Sequence, residues 1–110
     1  QCDDEAVKVQ VDNNSVVSIG KDLDAKKTLF EFLGLFKIDK KFVPVVRNEI
    51  DKIIASGKKN SYMFNVIQCI IDKGVNVGYV DIGESPWEEV DYPEDYTRAK
   101  EKFKRFKWRN

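Results

Sequence analysis

Glu89 and Asp91 flank Val90, so in an extended backbone both carboxylates project from one face. They belong to the stretch 81–95, which holds seven acidic residues and no basic one. Clustered carboxylates in a chain with no His suit a hard cation such as Mg²⁺, which takes oxygen ligands and is commonly shared with substrate phosphates. One or two carboxylates complete such a shell only when phosphate oxygens fill the rest. Acidic residues just ahead of a helix N-terminus also act as caps, and that role competes for the same side chains. The missing His excludes Ser/His and Cys/His nucleophilic dyads, His-ligated zinc and imidazole acid–base chemistry.

Charge and cysteine content narrow the setting. Nineteen basic residues balance nineteen acidic ones, which argues against a general binder of nucleic acid or of anionic membrane. Residues 98–110 do hold seven basic residues against Glu101 alone, but cations at a helix C-terminus complement its dipole, so this end reads as a solvated helix. No apolar run approaches the roughly 18 to 20 residues of a membrane span. Cys2 and Cys69 are too few for a metal cluster and read as two reduced thiols of a cytoplasmic protein, Cys69 in a helix core. The rival is a secreted interaction module bridged from Cys2 to Cys69.

The elements that must position these groups follow from periodicity over 110 residues, enough for one domain or part of one. Val7, Val9 and Val11 alternate with Lys8, Gln10 and Asp12, the period of a half-buried strand. Asn13, Asn14 and Ser15 supply turn chemistry before a second strand over Val16 to Ile19, making a hairpin. Leu29 to Ile38 reads as a longer Phe-rich strand interrupted by Gly34, where a ligand or another backbone could come close. Phe42, Val46, Ile50, Ile53 and Ile54 then carry helical spacing up to Gly57, with Pro44 in the first turn. Ser61 is the expected cap of a second helix bearing Met63, Val66, Ile67, Ile70 and Ile71, stopped by Gly74. Val75 to Asp81 reads as a strand, Trp87 to Val90 as an edge-like strand or extended loop. Pro93 opens a last helix with a stripe of Tyr96, Ala99, Phe103 and Phe106.

Three blocks in this order resemble a family. Residues 85–100, running Ser-Pro-Trp-Glu-Glu-Val-Asp-Tyr-Pro-Glu-Asp-Tyr-Thr-Arg-Ala-Lys, are similar to the closing segment of sugar-phosphate and alcohol-phosphate nucleotidyltransferases, where Trp and Asp precede a Pro-Glu-Asp helix start. Residues 4–12 and 17–23 resemble the mid-domain hairpin of those enzymes, and Glu31-Phe-Leu-Gly-Leu-Phe36 resembles their acceptor-binding strand. The cytidylyltransferases acting on inositol phosphate, phosphocholine or aminoethylphosphonate are the nearest in character.

The resemblance implies an α/β fold: the C-terminal half of a Rossmann-like nucleotidyltransferase domain, with mixed sheet and flanking helices in the order β-β-β-α-α-β-β-α. Residues 1–110 would form the acceptor- and metal-side portion of that single domain. It implies transfer of CMP, or another NMP, from a nucleoside triphosphate, with CTP favoured, to a phosphate- or phosphonate-bearing acceptor, releasing pyrophosphate. Asp91 matches the family's second metal-binding Asp, which holds Mg²⁺ against the nucleotide phosphates. Lys21 matches the Lys that contacts the acceptor's phosphate, and Gly34 the Gly that admits the acceptor. Glu31 and Glu89 fall to the acceptor side, while Trp87 packs the loop that presents Asp91. The family's Gly-rich nucleotide loop and first metal Asp have no counterpart, since the six Gly are scattered. The expected partners are therefore the nucleotide, the acceptor and a missing N-terminal half, with a homodimer allowed and the 110-residue chain inactive alone. A non-catalytic binding or regulatory domain built on the same half-fold is the alternative.

Overall fold

The computed structural model describes residues 5–27, 30–58 and 60–106. Two compact units divide the chain, Gln1–Tyr79 and Val80–Asn110. In element order it is a small α/β protein with a three-stranded sheet and three α-helices.

The first unit begins with the hairpin. β1 (Lys8–Asp12) and β2 (Ser15–Gly20) pair antiparallel, with Asp12 opposite Ser15. The two turn residues between them, Asn13 and Asn14, have φ of 47° and 65°. Paired positive φ values are what a two-residue hairpin loop requires for its twist to match the strands, and Asn tolerates them better than most residues. The register slips after Gln10: Gln10 faces Ser18 and Val11 faces Val16, so Val17 is an extra, exposed residue on β2. β3 (Phe30–Glu31) adds to the other side of β1, antiparallel as well, giving the order β2-β1-β3.

Helix α1 (Val43–Ala55) follows a short 3₁₀ turn at Lys40–Phe42, opened by Asp39, whose side chain accepts from the Lys41 N–H at 3.0 Å. Pro44 sits in the first turn of α1, where an N–H has no intrahelical partner to lose. Helix α2 (Met63–Asp72) is the keystone because its apolar residues face two ways. Ile67 joins Val9, Val16 and Ile19 in a core against the sheet, with Phe30, Phe32 and Phe64 packed around it. Val66 and Ile70 join Val46 of α1 in a second core, flanked by Ile38, Ile50 and Ile53. Val77 packs against both.

Several expectations are corrected here. The sheet is antiparallel throughout, not mixed. The strand expected over 29–38 is only Phe30–Glu31, and Leu29 lies outside the described residues. Gly34 is therefore not inside a strand; it sits in a bend at φ +89°, with open space where a Cβ would be, so backbone conformation alone accounts for it. Residues 75–81 and 87–90 carry no strand. In the first of these, Val77 O accepts one bond from Val16 N at 2.7 Å, but a single bond does not make a ladder. The alternating segment lies beside β2 but shares one backbone hydrogen bond with it among the described residues, too few for a ladder.

Ser61 is not the cap of α2. Tyr62 is, and its N–H is held by the Asn65 side chain at 2.8 Å, the reciprocal half of a capping box. In the second unit, α3 (Pro93–Phe103) starts at Pro93 as expected but ends before Phe106, whose ring packs edge-on against Phe103. No helix among the described residues is long and apolar enough to cross a membrane.

Candidate functional site

In the first unit the sheet places Lys21 and Glu31 at one end. Lys8 is paired with Gly20 on one side and with Glu31 on the other, so the three form a cross-strand row spanning roughly 10 Å. Lys21 follows directly after Gly20. Its ammonium lies 5.1 Å from the centre of the Tyr62 ring, a cation–π contact at the start of α2. Its carbonyl accepts a 2.6 Å hydrogen bond from Lys8 Nζ, which also donates to Ala6 O at 3.2 Å.

Lys8 is the residue that the sequence pattern places wrongly. Alternation puts it on the polar face of β1, yet it is 1% exposed. A buried ammonium needs its donors satisfied, and the backbone carbonyls of the turn after β2 do part of that work. The consequence is that the backbone at Lys21 is pinned from beneath while its side chain stays half-buried and accessible. Gly34 follows β3 by three residues and is exposed, as is Glu31.

The other two candidates, Glu89 and Asp91, lie in the second unit and are both exposed. Segment 87–92 is tied to α3 at both ends. Lys102 Nζ donates to Trp87 O at 2.8 Å and to Glu88 Oε2 at 2.6 Å, while Arg98 Nε reaches Glu88 Oε1 at 3.3 Å. At the other end, Asp95 Oδ2 accepts the N–H groups of both Asp91 and Tyr92, each at 3.0 Å. Arg98 closes the chain by pairing with the second Asp95 oxygen. An open surface pocket of ≈ 530 Å³ is bounded by residues 83–88 and Lys102, with Trp87 among its lining residues.

These contacts set the ionisation of the supporting carboxylates. The Lys102 hydrogen bond, helped by Arg98, holds the Glu88 carboxyl below its ordinary value. The Asp91 and Tyr92 N–H groups do the same for Asp95, again with Arg98 assisting. Both acids are more acidic folded than unfolded, so their stabilisation is complete above the unfolded values and is lost as pH falls through the folded ones. Acidification below about pH 4 should release segment 87–92 from α3, read as loss of the distinct amide shifts of Asp91 and Tyr92. High salt should weaken the exposed Glu88 pairs first, because the bonds to Asp95 from backbone N–H groups are less screened.

Neither Asp91 nor Glu89 takes part in an ion pair among the described residues. Two unpaired hard-oxygen donors fit a contribution to a Mg²⁺ shell shared with phosphates. They do not make a shell by themselves, and no group of three or more His, Cys, Asp or Glu able to hold a metal occurs among the described residues. Sequence spacing located Asp91 but not its support. The signal for Asp95 was available: an acid three residues after Tyr92, just inside a Pro-started helix, is the capping pattern. Cys69 is half-buried in α2, while Cys2, its partner in the bridged alternative, lies outside the described residues. No protein-family model, curated protein or solved structure matches the chain.

Proposed function

We propose that this chain supplies the acceptor and metal side of a nucleotidyltransferase that moves CMP, or another NMP, from a nucleoside triphosphate onto a phosphate- or phosphonate-bearing acceptor. The observation that carries it is the presentation of Asp91. Its N–H is held by Asp95 while its carboxylate is exposed and makes no ion pair among the described residues, in the Glu-Val-Asp-Tyr-Pro-Glu-Asp setting that resembles the family. In this reading the chain is the C-terminal part of a Rossmann-like domain whose nucleotide loop lies outside these residues.

The chemistry is in-line attack by an acceptor oxygen on the α-phosphorus, with pyrophosphate leaving. The acceptor is already anionic near neutral pH, so no general base is needed, in keeping with a chain that has no His. Asp91 would give one oxygen to Mg²⁺, which supplies charge neutralisation at the nucleotide phosphates when bound. Lys21 would clamp the acceptor's phosphate, its direction set by the Tyr62 ring and by Lys8 beneath it. Glu31 and Gly34 would line the acceptor side, and Glu89 would stand beside Asp91.

Lys21 provides the direct test in this chain. Phosphocholine, 2-aminoethylphosphonate and inorganic phosphate should each shift the amides of Gly20 to Asp22 and Tyr62 with saturable, millimolar binding. Lys21→Gln should weaken that binding about 10-fold, the loss of one charge-assisted hydrogen bond. Equal binding by the Lys21→Gln protein would remove Lys21 from the acceptor site.

A second reading, a non-catalytic binding domain, draws on exposed apolar side chains: Leu35 is 87% and Val80 90% exposed. Turnover in the complete protein separates the two.

A further inference from the structure

No residue of α3 is buried, although the helix carries an apolar stripe. Tyr96, Ala99, Phe103 and Phe106 recur at intervals of three, four and three, the spacing of a seam that fits a second helix. Tyr96 is 59% exposed, and Tyr92, at the N-cap, is exposed as well. Segment 87–92 is tied to a different line of the helix. Its bonds run to Asp95, Arg98 and Lys102, each one position ahead of a stripe residue. Lys100 Nζ lies 5.7 Å from the centre of the Tyr96 ring, a long stem along the apolar surface with its charge kept in water.

The charges around the stripe say what seats on it. Glu88 and Asp95 are used within this unit by Arg98 and Lys102. The charges left over are segregated. Glu84, Glu89 and Glu94 lie ahead of the helix or in its first turn, Lys104 and Arg105 lie beyond its end, and none takes part in an ion pair among the described residues. The acidic segment beside the stripe disfavours an anionic lipid surface or a nucleic acid. A second copy of the chain brings the same stripe with both signs of charge. A parallel pair would set acid on acid, base on base, and align the two helix dipoles. An antiparallel pair sets each acidic end on the partner's basic end and opposes the dipoles.

We propose that a second copy of this chain docks on α3, the two helices running antiparallel about a two-fold axis with the aromatic stripe as their seam. Such a contact is self-complementary and closes at two copies. With Ala99 of one copy opposite Tyr96 of the other, small faces large, and the same count sets Phe103 opposite Tyr92. The eleven residues of α3 span only about 16 Å, so the seam is small and the dimer weak and exchanging. The docking reading stands apart from the nucleotidyltransferase proposal and does not depend on it.

Sedimentation of the 110-residue chain between about 5 and 500 μM tests it. Wild type should pass from monomer to dimer across that range, and added salt should move the midpoint upward. Tyr96→Asp should weaken dimerisation at least about 10-fold. Val80→Asp makes the same kind of change at a residue that is 90% exposed but off the stripe, and should alter it less than about 2-fold. Glu89→Lys and Lys104→Glu should each weaken the dimer about 5-fold, because each inverts a pair of contacts at both ends. Mixing those two variants should restore association as a heterodimer.

A chain that stays monomeric throughout would overturn the proposal. So would a dimer indifferent to Tyr96→Asp, or one weakened equally by Val80→Asp, which is general stickiness. Charge variants without effect, or a mixture that fails to recover, would overturn the antiparallel arrangement and the proposal as stated. A monomer that binds phosphatidylserine–phosphatidylcholine vesicles through Tyr96 would give the stripe to a lipid surface instead. Circular dichroism on each variant checks α3; should Tyr96→Asp unfold it, Tyr96→Ala, a strong helix former, is read in its place against the same outcomes.

Discussion

If the proposed nucleotidyl transfer is what the complete protein does, Asp91→Asn should lower its kcat by about 100-fold or more at saturating Mg²⁺ while leaving the melting temperature close to that of wild type. In the proposed reaction the large effect on turnover would come from losing a charged oxygen that Asp91 would give to Mg²⁺. The small effect on stability follows from the surroundings of Asp91. Its carboxylate is exposed and takes part in no ion pair among the described residues, and the bond from its N–H to Asp95 is kept by Asn. Exposed substitutions of this kind usually change stability by less than about 0.5 kcal/mol. Pyrophosphate release measured against Mg²⁺ concentration, with a thermal melt on the same sample, checks both parts. Unchanged turnover would make the chain a binding domain that keeps the half-fold without its chemistry.

The largest effect on folding should come from Lys73→Met. Glu49 of α1 is 5% exposed and is paired with Lys73, which lies just beyond α2, and with Lys52 at 3.6 Å. The partners are not equally buried: the side chains of Lys73 and Lys52 are 43% and 58% exposed. Removing Lys73 strands a buried carboxylate with one distant, solvated cation, whereas removing the Glu49 charge leaves only a lysine that can turn to water. Lys73→Met should therefore cost about 3 kcal/mol, and Glu49→Gln clearly less. The double change Glu49→Gln with Lys73→Met should recover most of the loss, since no unpaired buried charge remains. Urea unfolding of the three variants gives the comparison. A double variant no more stable than Lys73→Met would show that the Lys73 stem, not the ion pair, holds α1 to α2.

What the sequence disclosed depended on whether a pattern carried its own partner. The hairpin was legible because Val7, Val9 and Val11 and the Asn13-Asn14 turn specify strand and reversal within a few residues. Helices α1 and α2 were legible from apolar spacing bounded by Pro44, Gly57 and Gly74, and the two glycines do adopt φ of +81° and +86°. Residues 75–81 alternate just as well, but a strand exists only when another backbone accepts its hydrogen bonds, and that cannot be read from the segment itself. The same limit hid Lys8, whose burial depends on carbonyls of residues Ala6 and Lys21 rather than on its place in the alternation. For the candidate site, Asp91 could be picked out by residue type and setting, while the ties that orient it required knowing which face of α3 meets the segment.

Gln68 of α2 donates to Asp72 and accepts the Ile19 N–H at 2.8 Å, while Val77 O takes the Val16 N–H. Those are amides on the outer margin of β2, where a free row would invite another molecule's strand. At the far margin lies β3, two residues long among the described residues. The border at β2 is thus occupied by side chain and loop. Substituting Gln68 should therefore free the Ile19 N–H at this edge and expose β2 to self-association before it disturbs either core.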